Sequence, residues 1–274
     1  MSVLLWILGV LIILFYFLLR PGRYSQEQLE MVKGVNFAHR GLHNEEKTVP
    51  ENSIAAFALA ANAGYGIELD IQLSSDGEVV VFHDDTLERV TGVNGRVDAY
   101  TFAELHNMHL CDTDQNIPLF TEVLSVINCR VPIIVELKTG PRNDELCAKG
   151  LAILQSYQGP YCIESFDPRI VHYFRKNAPQ ILRGQLSDAS KNFKDKPLIL
   201  KLALGNLFTD FIARPQFIAY GDGKKSVFVR LAEAMGAIKI CWTVRPTSDI
   251  AAKEAENDAV IFEKYTPETN YLKP

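Results

Sequence analysis

Cysteine is scarce in this chain, and its placement excludes more than it offers. The five residues Cys111, Cys129, Cys147, Cys162 and Cys241 form no C-x-x-C pair. An odd count at that spacing indicates neither a disulfide framework nor a thiolate zinc site, so the five read as small core fillers in a reducing compartment. A surplus of positive charge is also missing. The 28 Lys and Arg against 33 Asp and Glu give a formal net charge of −5, which offers nucleic acid no basic face. No G-x-G-x-x-G or P-loop marks a nucleotide-binding open sheet. Without G-x-S-x-G or a Ser-His-Asp spacing, acyl chemistry has no signature either.

What the chain has is apolar bulk, 47% of 274 residues, enough for a sizeable core. Its first part, Val3 to Leu19, is a nearly unbroken apolar run of about 17 residues, the short end of what spans a bilayer. Positive charge does not precede it and no A-x-A-like cleavage site follows, so it reads as one uncleaved transmembrane anchor over 3–19 rather than a signal peptide. Arg20 and Arg23 on its carboxyl side place the remainder in the cytoplasm, as a single-pass membrane protein. Pro21 and Gly22 end the helix, and residues 20–34 are a polar connector.

The stretch from Gly66 to Asp84 organises the rest. Ile67, Leu69 and Ile71 alternate with Glu68, Asp70 and Gln72, so Glu68 and Asp70 share one face of a strand. Two carboxylates that close repel unless a cation lies between them. Asp76-Gly77 then signals a hairpin, and Glu78–Phe82 returns antiparallel, bringing His83 over the carboxylate pair. Further along, Ile133–Lys138 carries Glu136 and Lys138 at the same strand spacing.

Around these lie strands ending near His39, Asp70, Lys138, Phe166, Leu186, Tyr220, Val244 and Glu263, with helical segments between them, one of them a less regular stretch over about Leu198–Ala213. Eight β/α units predict an α/β fold, a (β/α)8 TIM barrel over 35–274 with a small insertion after the second strand, about 72–117. In such a barrel the carboxyl ends of the strands share one mouth. His39-Arg40, Glu68, Asp70, Glu136, Lys138 and Trp242 all fall there. Glu68, Asp70 and Glu136 are hard oxygen donors, suited to Mg2+ or Ca2+ rather than zinc. With Arg40 and Lys138 they form a setting for phosphoryl chemistry, with His39 and His83 as acid and base. His106 and His109, on a short helix near Phe102–His109, read as surface or packing residues.

The ordered set HRG, PENS, ELD, DG…VVFHD, ELK, SF and WTV resembles the glycerophosphodiester phosphodiesterase (GDPD) family from about Val35 onward. The resemblance implies a TIM barrel with an insertion and a metal-dependent reaction that releases glycerol 3-phosphate and an alcohol. It implies His39 and His83 as the acid–base pair and Glu68, Asp70 and Glu136 as metal ligands. Arg40 and Lys138 match phosphate-binding charges, Glu51 matches a carboxylate that orients the arginine, and Trp242 lies on the substrate side. The implied substrate is a small or lipid-derived glycerophosphodiester. Alternatives are lysophospholipase D or inositol-type phospholipase C activity, or a catalytically silent binding protein on the same fold. Arg245 after WTV and Glu263-Lys264 after the last strand depart from the family pattern, at positions expected to shape the substrate pocket.

Overall fold

The computed structural model describes residues 2–194 and 196–271. Residues 272–274 at the end of the expected barrel domain lie outside them. Helix α1 (Ser2–Leu19) and a short α2 (Gln26–Glu30) come first, then strand β1 (Asn36–Ala38), α3 (Ile54–Ala63), β2 (Gly66–Leu73) and β3 (Val79–Val81). Helices α4 (Glu88–Thr91), α5 (Phe102–His106) and α6 (Phe120–Ile127) lead to β4 (Ile133–Leu137), α7 (Asn143–Ser156), β5 (Tyr161–Ser165), α8 (Pro168–Asn177) and β6 (Leu182–Ser187). The chain continues through α9 (Leu198–Gly205), α10 (Asp210–Ala213), β7 (Phe217–Gly221), α11 (Val227–Ala234), β8 (Ile238–Val244), α12 (Ile250–Glu256) and β9 (Ala259–Phe262).

Nine strands form one sheet in the order β1-β9-β8-β7-β6-β5-β4-β2-β3, and a β1–β2 pairing closes it. Only β3 is antiparallel, opposite β2 with Ile71 facing Val81, so the remaining eight make a closed parallel barrel. Each strand is buried on both faces, as parallel strands under helices must be. Ile67, Leu69 and Ile71 pack outward against Phe57 and Ala60 of α3 and the neighbouring helices. The alternate residues of β2 therefore point into the barrel. Ser53 caps α3 by accepting from the Ala56 amide, and Gly64 in the left-handed region closes it. Between β2 and α6, Phe82, Leu87, Val90, Val97, Leu105, Leu110 and Ile117 bury one another as a small core of their own.

Two expectations are corrected here. The helical stretch over Leu198–Ala213 is two helices, broken where Leu207 takes a positive φ of 61°. The apolar run does form a helix, but no helix among the described residues is long and apolar enough to cross a membrane. At 1.5 Å per residue, 18 residues reach about 27 Å against a hydrocarbon core of about 30 Å. Moreover, its last turn is docked on protein. Leu19 is buried, and the Phe15 ring stacks on Phe228 with centroids 5.0 Å apart. Residues 20–34 are likewise tied down: Gly22 N donates to Pro215 O at 2.8 Å, and Gln28 Nε2 to Gln180 O at 2.8 Å. Most side chains before Phe15 stay exposed, Trp6 at 76% and Leu4 at 73%.

Candidate active site

Strand register gathers the acids. Asp70 on β2 sits beside Glu136 on β4, and Glu136 beside Glu164 on β5. Glu68, Asp70 and Glu136 are buried, and each offers a carboxylate oxygen within 4.8 Å of the others. The loop after β1 closes over them. Arg40 N donates to Glu68 Oε2 at 2.9 Å, from a backbone at φ 55°. Gly41 follows at φ 80°, where a Cβ would lie 2.8 Å from Ala56, so only glycine lets this loop meet α3.

Cations interleave with the acids. Lys138 Nζ lies 2.8 Å from Glu136 Oε1 and 3.4 Å from Asp70 Oδ1. Arg40 Nη1 donates to Glu51 Oε1 at 2.7 Å, and its Nε lies 3.6 Å from Asp70 Oδ2. Asn52, at the positive φ of 54°, gives its Nδ2 to Asp70 Oδ2 at 2.9 Å.

His39 and His83 are each held by a carboxylate on Nδ1. His39 Nδ1 is 2.6 Å from Glu263 Oε2, and Arg245 Nε donates to Glu263 Oε1 at 2.6 Å. His83 Nδ1 is 2.6 Å from Asp84 Oδ1. Arg89 then bridges, donating to Asp84 through Nε at 2.5 Å and to both oxygens of Glu51 at 2.7 Å. One continuous circuit, His83–Asp84–Arg89–Glu51–Arg40, therefore ties the insertion to the β1 loop. With both Nδ1 atoms engaged, the Nε2 edges are the ones left for a further partner.

Residues 39–265 match the model of the glycerophosphoryl diester phosphodiesterase family. The chain belongs to this family. It is 33% identical over 167 residues to a glycerophosphodiester phosphodiesterase of Caldanaerobacter subterraneus, a match covering 57% of this chain and 67% of that one. A Bacillus altitudinis glycerophosphodiester phosphodiesterase is 38% identical over 109 residues, 37% of this chain and 43% of its own length. Among solved structures, an Oleispira antarctica phosphodiesterase in complex with the product sn-glycerol 3-phosphate shares the fold at TM-score 0.69 and 24% identity, covering 84% of this chain and 93% of that chain. As a glycerophosphodiester phosphodiesterase the protein is a phosphoric diester hydrolase, and its substrates are glycerophosphodiesters.

The electrostatics of this phosphodiesterase site favour a bound cation. Burial, then Asp70, Glu136 and Glu164, push the Glu68 carboxyl well above its ordinary range. Burial raises Glu136 as well, against Lys138. Asp70 goes the other way: although burial disfavours its charge, Lys138, His83 and Arg40 hold it well below the usual carboxylate range. Negative charge is thus in excess at the oxygens of Glu68 and Glu136, where a hard divalent ion would replace protons. The donor set fits such an ion.

Several members of this network carry no sequence motif. Glu164, 1% exposed with an Oε2 that has no hydrogen-bond partner, stands next to Glu136. Arg89, likewise outside any motif, joins Asp84 at the end of the VVFHD motif to Glu51. Arg245 and Glu263 make a contact the sequence does not show: Glu263 is the carboxylate on His39, and Arg245 holds it in place. Trp242 lies on the mouth too, its Nε1 donating to Ala219 O at 3.0 Å and its ring edge-on to Phe166 at 5.5 Å. Both rings line a cleft of about 630 Å³ with Phe193, Leu200 and Leu204. Removing the support of His39 is expected to cost activity without unfolding the barrel. Glu263→Ala should lower kcat/KM at least about tenfold, with Glu263→Gln retaining more because its amide oxygen still accepts from Nδ1. Steady-state kinetics on glycerophosphocholine check this, and an Ala variant as active as the parent would remove Glu263 from the site.

Proposed function

We propose that the chain hydrolyses glycerophosphodiesters to glycerol 3-phosphate and an alcohol with one divalent metal, Mg2+ or Ca2+, and a pair of histidines. The observation that carries this reading is the convergence of three buried carboxylates with two carboxylate-backed imidazoles on one barrel mouth. Glu68, Asp70 and Glu136 hold the metal. When bound, it supplies positive charge against the phosphoryl oxygens as they gain electrons.

The protein's own groups do the rest. Arg40 and Lys138 take the non-bridging oxygens, and Glu51 fixes the plane of the Arg40 guanidinium. Burial, outweighing the pull of Glu263, lowers the His39 pKa to about 4, so its imidazole is neutral at physiological pH and suited to accept the proton of the attacking hydroxyl. The hydroxyl is the substrate's own glycerol 2-hydroxyl: its oxygen bonds phosphorus as His39 takes the proton, and His83, steadied by Asp84, protonates the departing alkoxide. Water then opens the cyclic phosphate to glycerol 3-phosphate, giving its proton to His83 while His39 returns its own to the 2-oxygen. The alcohol leaves toward Trp242 and the apolar cleft.

That cleft and its surroundings favour a lipid-derived leaving group. Leu198 and Ile199 of α9 are 70% and 84% exposed, beside exposed Lys191, Lys194 and Lys196. Apolar side chains flanked by lysines suit an anionic bilayer surface. With the exposed turns of α1, they keep the barrel at a membrane surface.

Release of glycerol 3-phosphate from a panel of diesters, with and without chelator, tests the chemistry. Turnover is expected to vanish with chelator and return with Mg2+ or Ca2+; full activity in chelator would overturn the metal. Leu198→Ser with Ile199→Ser should raise KM severalfold for lysophospholipid in vesicles and leave glycerophosphocholine unchanged. An equal effect on both substrates would argue against the lipid reading.

A further inference from the structure

The amino-terminal end of the barrel, opposite the reaction, carries charges that hydrolysis does not use. Arg20 and Arg23 follow α1, Arg175 is in the last turns of α8, Arg183 lies on β6 and Arg214 precedes β7. Together with Tyr16 and Gly22 they line a cleft of about 730 Å³. Their hydrogen bonds go to carbonyls. Arg183 Nη2 donates to Arg214 O at 3.2 Å, Arg214 Nη1 to Arg20 O at 2.9 Å, and Arg175 Nη1 to Ile212 O at 2.8 Å. Among the described residues none of the five forms an ion pair with a carboxylate. Asp210 on α10, the acid that acts on Arg214, is buried, and burial pushes its carboxyl well above the ordinary range despite Arg214.

Arg183 is the centre of the group. It is 6% exposed, yet its Nε and Nη1 have no hydrogen-bond partner. Burial, and then Arg175, bring its guanidinium down to about 10. A charged fork held dry with two open donors is costly unless something anionic fills it. A Cβ on Gly22 would lie 2.6 Å from Arg214 O, so glycine lets the connector after α1 pack directly against the loop that carries Arg214. Aromatic faces aim two more guanidiniums, with Arg214 5.1 Å from the Phe17 centroid and Arg20 6.0 Å from that of Tyr16. Those contacts orient charge and do not neutralise it.

We propose that this cleft binds a phosphate oxyanion, with Arg183 as its buried donor and Arg20, Arg23, Arg175 and Arg214 around it. Planar guanidinium forks match tetrahedral oxyanions two donors at a time, and several around one ligand give the site its selectivity over chloride. The phosphate comes either from a soluble phosphate or from a lipid headgroup, since α1 brings its exposed apolar turns to the same corner. The site is separate from the catalytic mouth and owes nothing to its metal.

The test uses the full chain in detergent at constant ionic strength, with inorganic phosphate replacing chloride. Phosphate at a hundredfold excess over Kd is expected to raise Tm by about 5–10 °C. A second arm measures flotation with phosphatidylcholine vesicles, with and without phosphatidate. A response to phosphate alone names a soluble ligand; a gain with phosphatidate alone names the headgroup. Arg183→Met should abolish whichever response the parent shows while diester turnover stays within about twofold. Its Tm without phosphate should equal or exceed the parent's, because an unpartnered buried charge has gone. Arg175→Gln, at an exposed position, serves if Arg183→Met does not fold, and should weaken the same response. No response of the parent in either arm, or responses unchanged in these variants, would overturn the site.

Discussion

His39→Ala is expected to lower kcat/KM for a soluble glycerophosphodiester about 10²–10⁴-fold, the range by which one positioned acid or base accelerates proton transfer. The loss should fall on kcat more than KM, because the His39 ring has no part in holding the phosphoryl oxygens. The pH profile separates this role from a structural one. With its pKa held down to about 4, His39 is already a free base at neutral pH. The acid limb of kcat/KM should therefore lie well below the 6.5 of an ordinary imidazole. Linkage gives a second readout. A histidine whose folded pKa is depressed binds fewer protons folded than unfolded, so the parent loses stability as pH falls from 6.5 toward 4. His39→Ala removes that loss, and its melting temperature should fall less steeply over the same window. An acid limb near 6.5 in the parent, or a variant retaining more than about a tenth of its activity, would take the base role away from His39.

The strand that carries Glu68 and Asp70 announces itself because its two-residue period is local, and so is the turn at Asp76-Gly77 that returns the chain to His83. Local patterning is also why the eight strand–helix units could be counted. What it does not contain is register. Glu164 reads as one polar residue in a short strand until β5 is laid beside β4, and only then does it join Glu136. The support of His39 by Glu263 spans most of the chain, between the first strand and the last, which become neighbours only when the barrel closes. Arg89 is similar: nothing near it in sequence shows that Glu51 is its partner. The apolar run at the amino terminus was legible as a helix, but its docking against Phe208 and Phe228 was not, since a uniform apolar surface does not reveal which turn meets protein. The Leu198–Ala213 stretch shows the converse, a helical composition interrupted by one backbone angle that Leu207 does not advertise.

Glu68→Gln should produce the other large effect, and stability and activity should move in opposite directions. Without added metal the parent holds Glu68 where burial, Asp70, Glu136 and Glu164 all resist its charge. A carboxyl raised above its unfolded pKa contributes stability at low pH that is lost as pH rises past the unfolded value, here 4.5. Gln cannot ionise and still offers an oxygen to the Arg40 amide, now 2.9 Å from Glu68 Oε2. Metal-free Glu68→Gln is thus expected to match the parent's Tm near pH 5 and to exceed it increasingly toward pH 9; subtracting the two curves cancels His39, which works with the opposite sign. With Mg2+ or Ca2+ at a hundredfold excess over Kd the order should invert: the parent gains about 5–10 °C and the variant almost nothing. Turnover should fall more than about a hundredfold, beyond the loss from disturbing a group that only supports a ligand. If the variant instead melts below the parent at pH 9 without metal and still responds to the ion, Glu68 is a structural acid and the ion is held by other oxygens. The two curves decide this without any activity measurement, so a poorly chosen diester cannot disguise the answer.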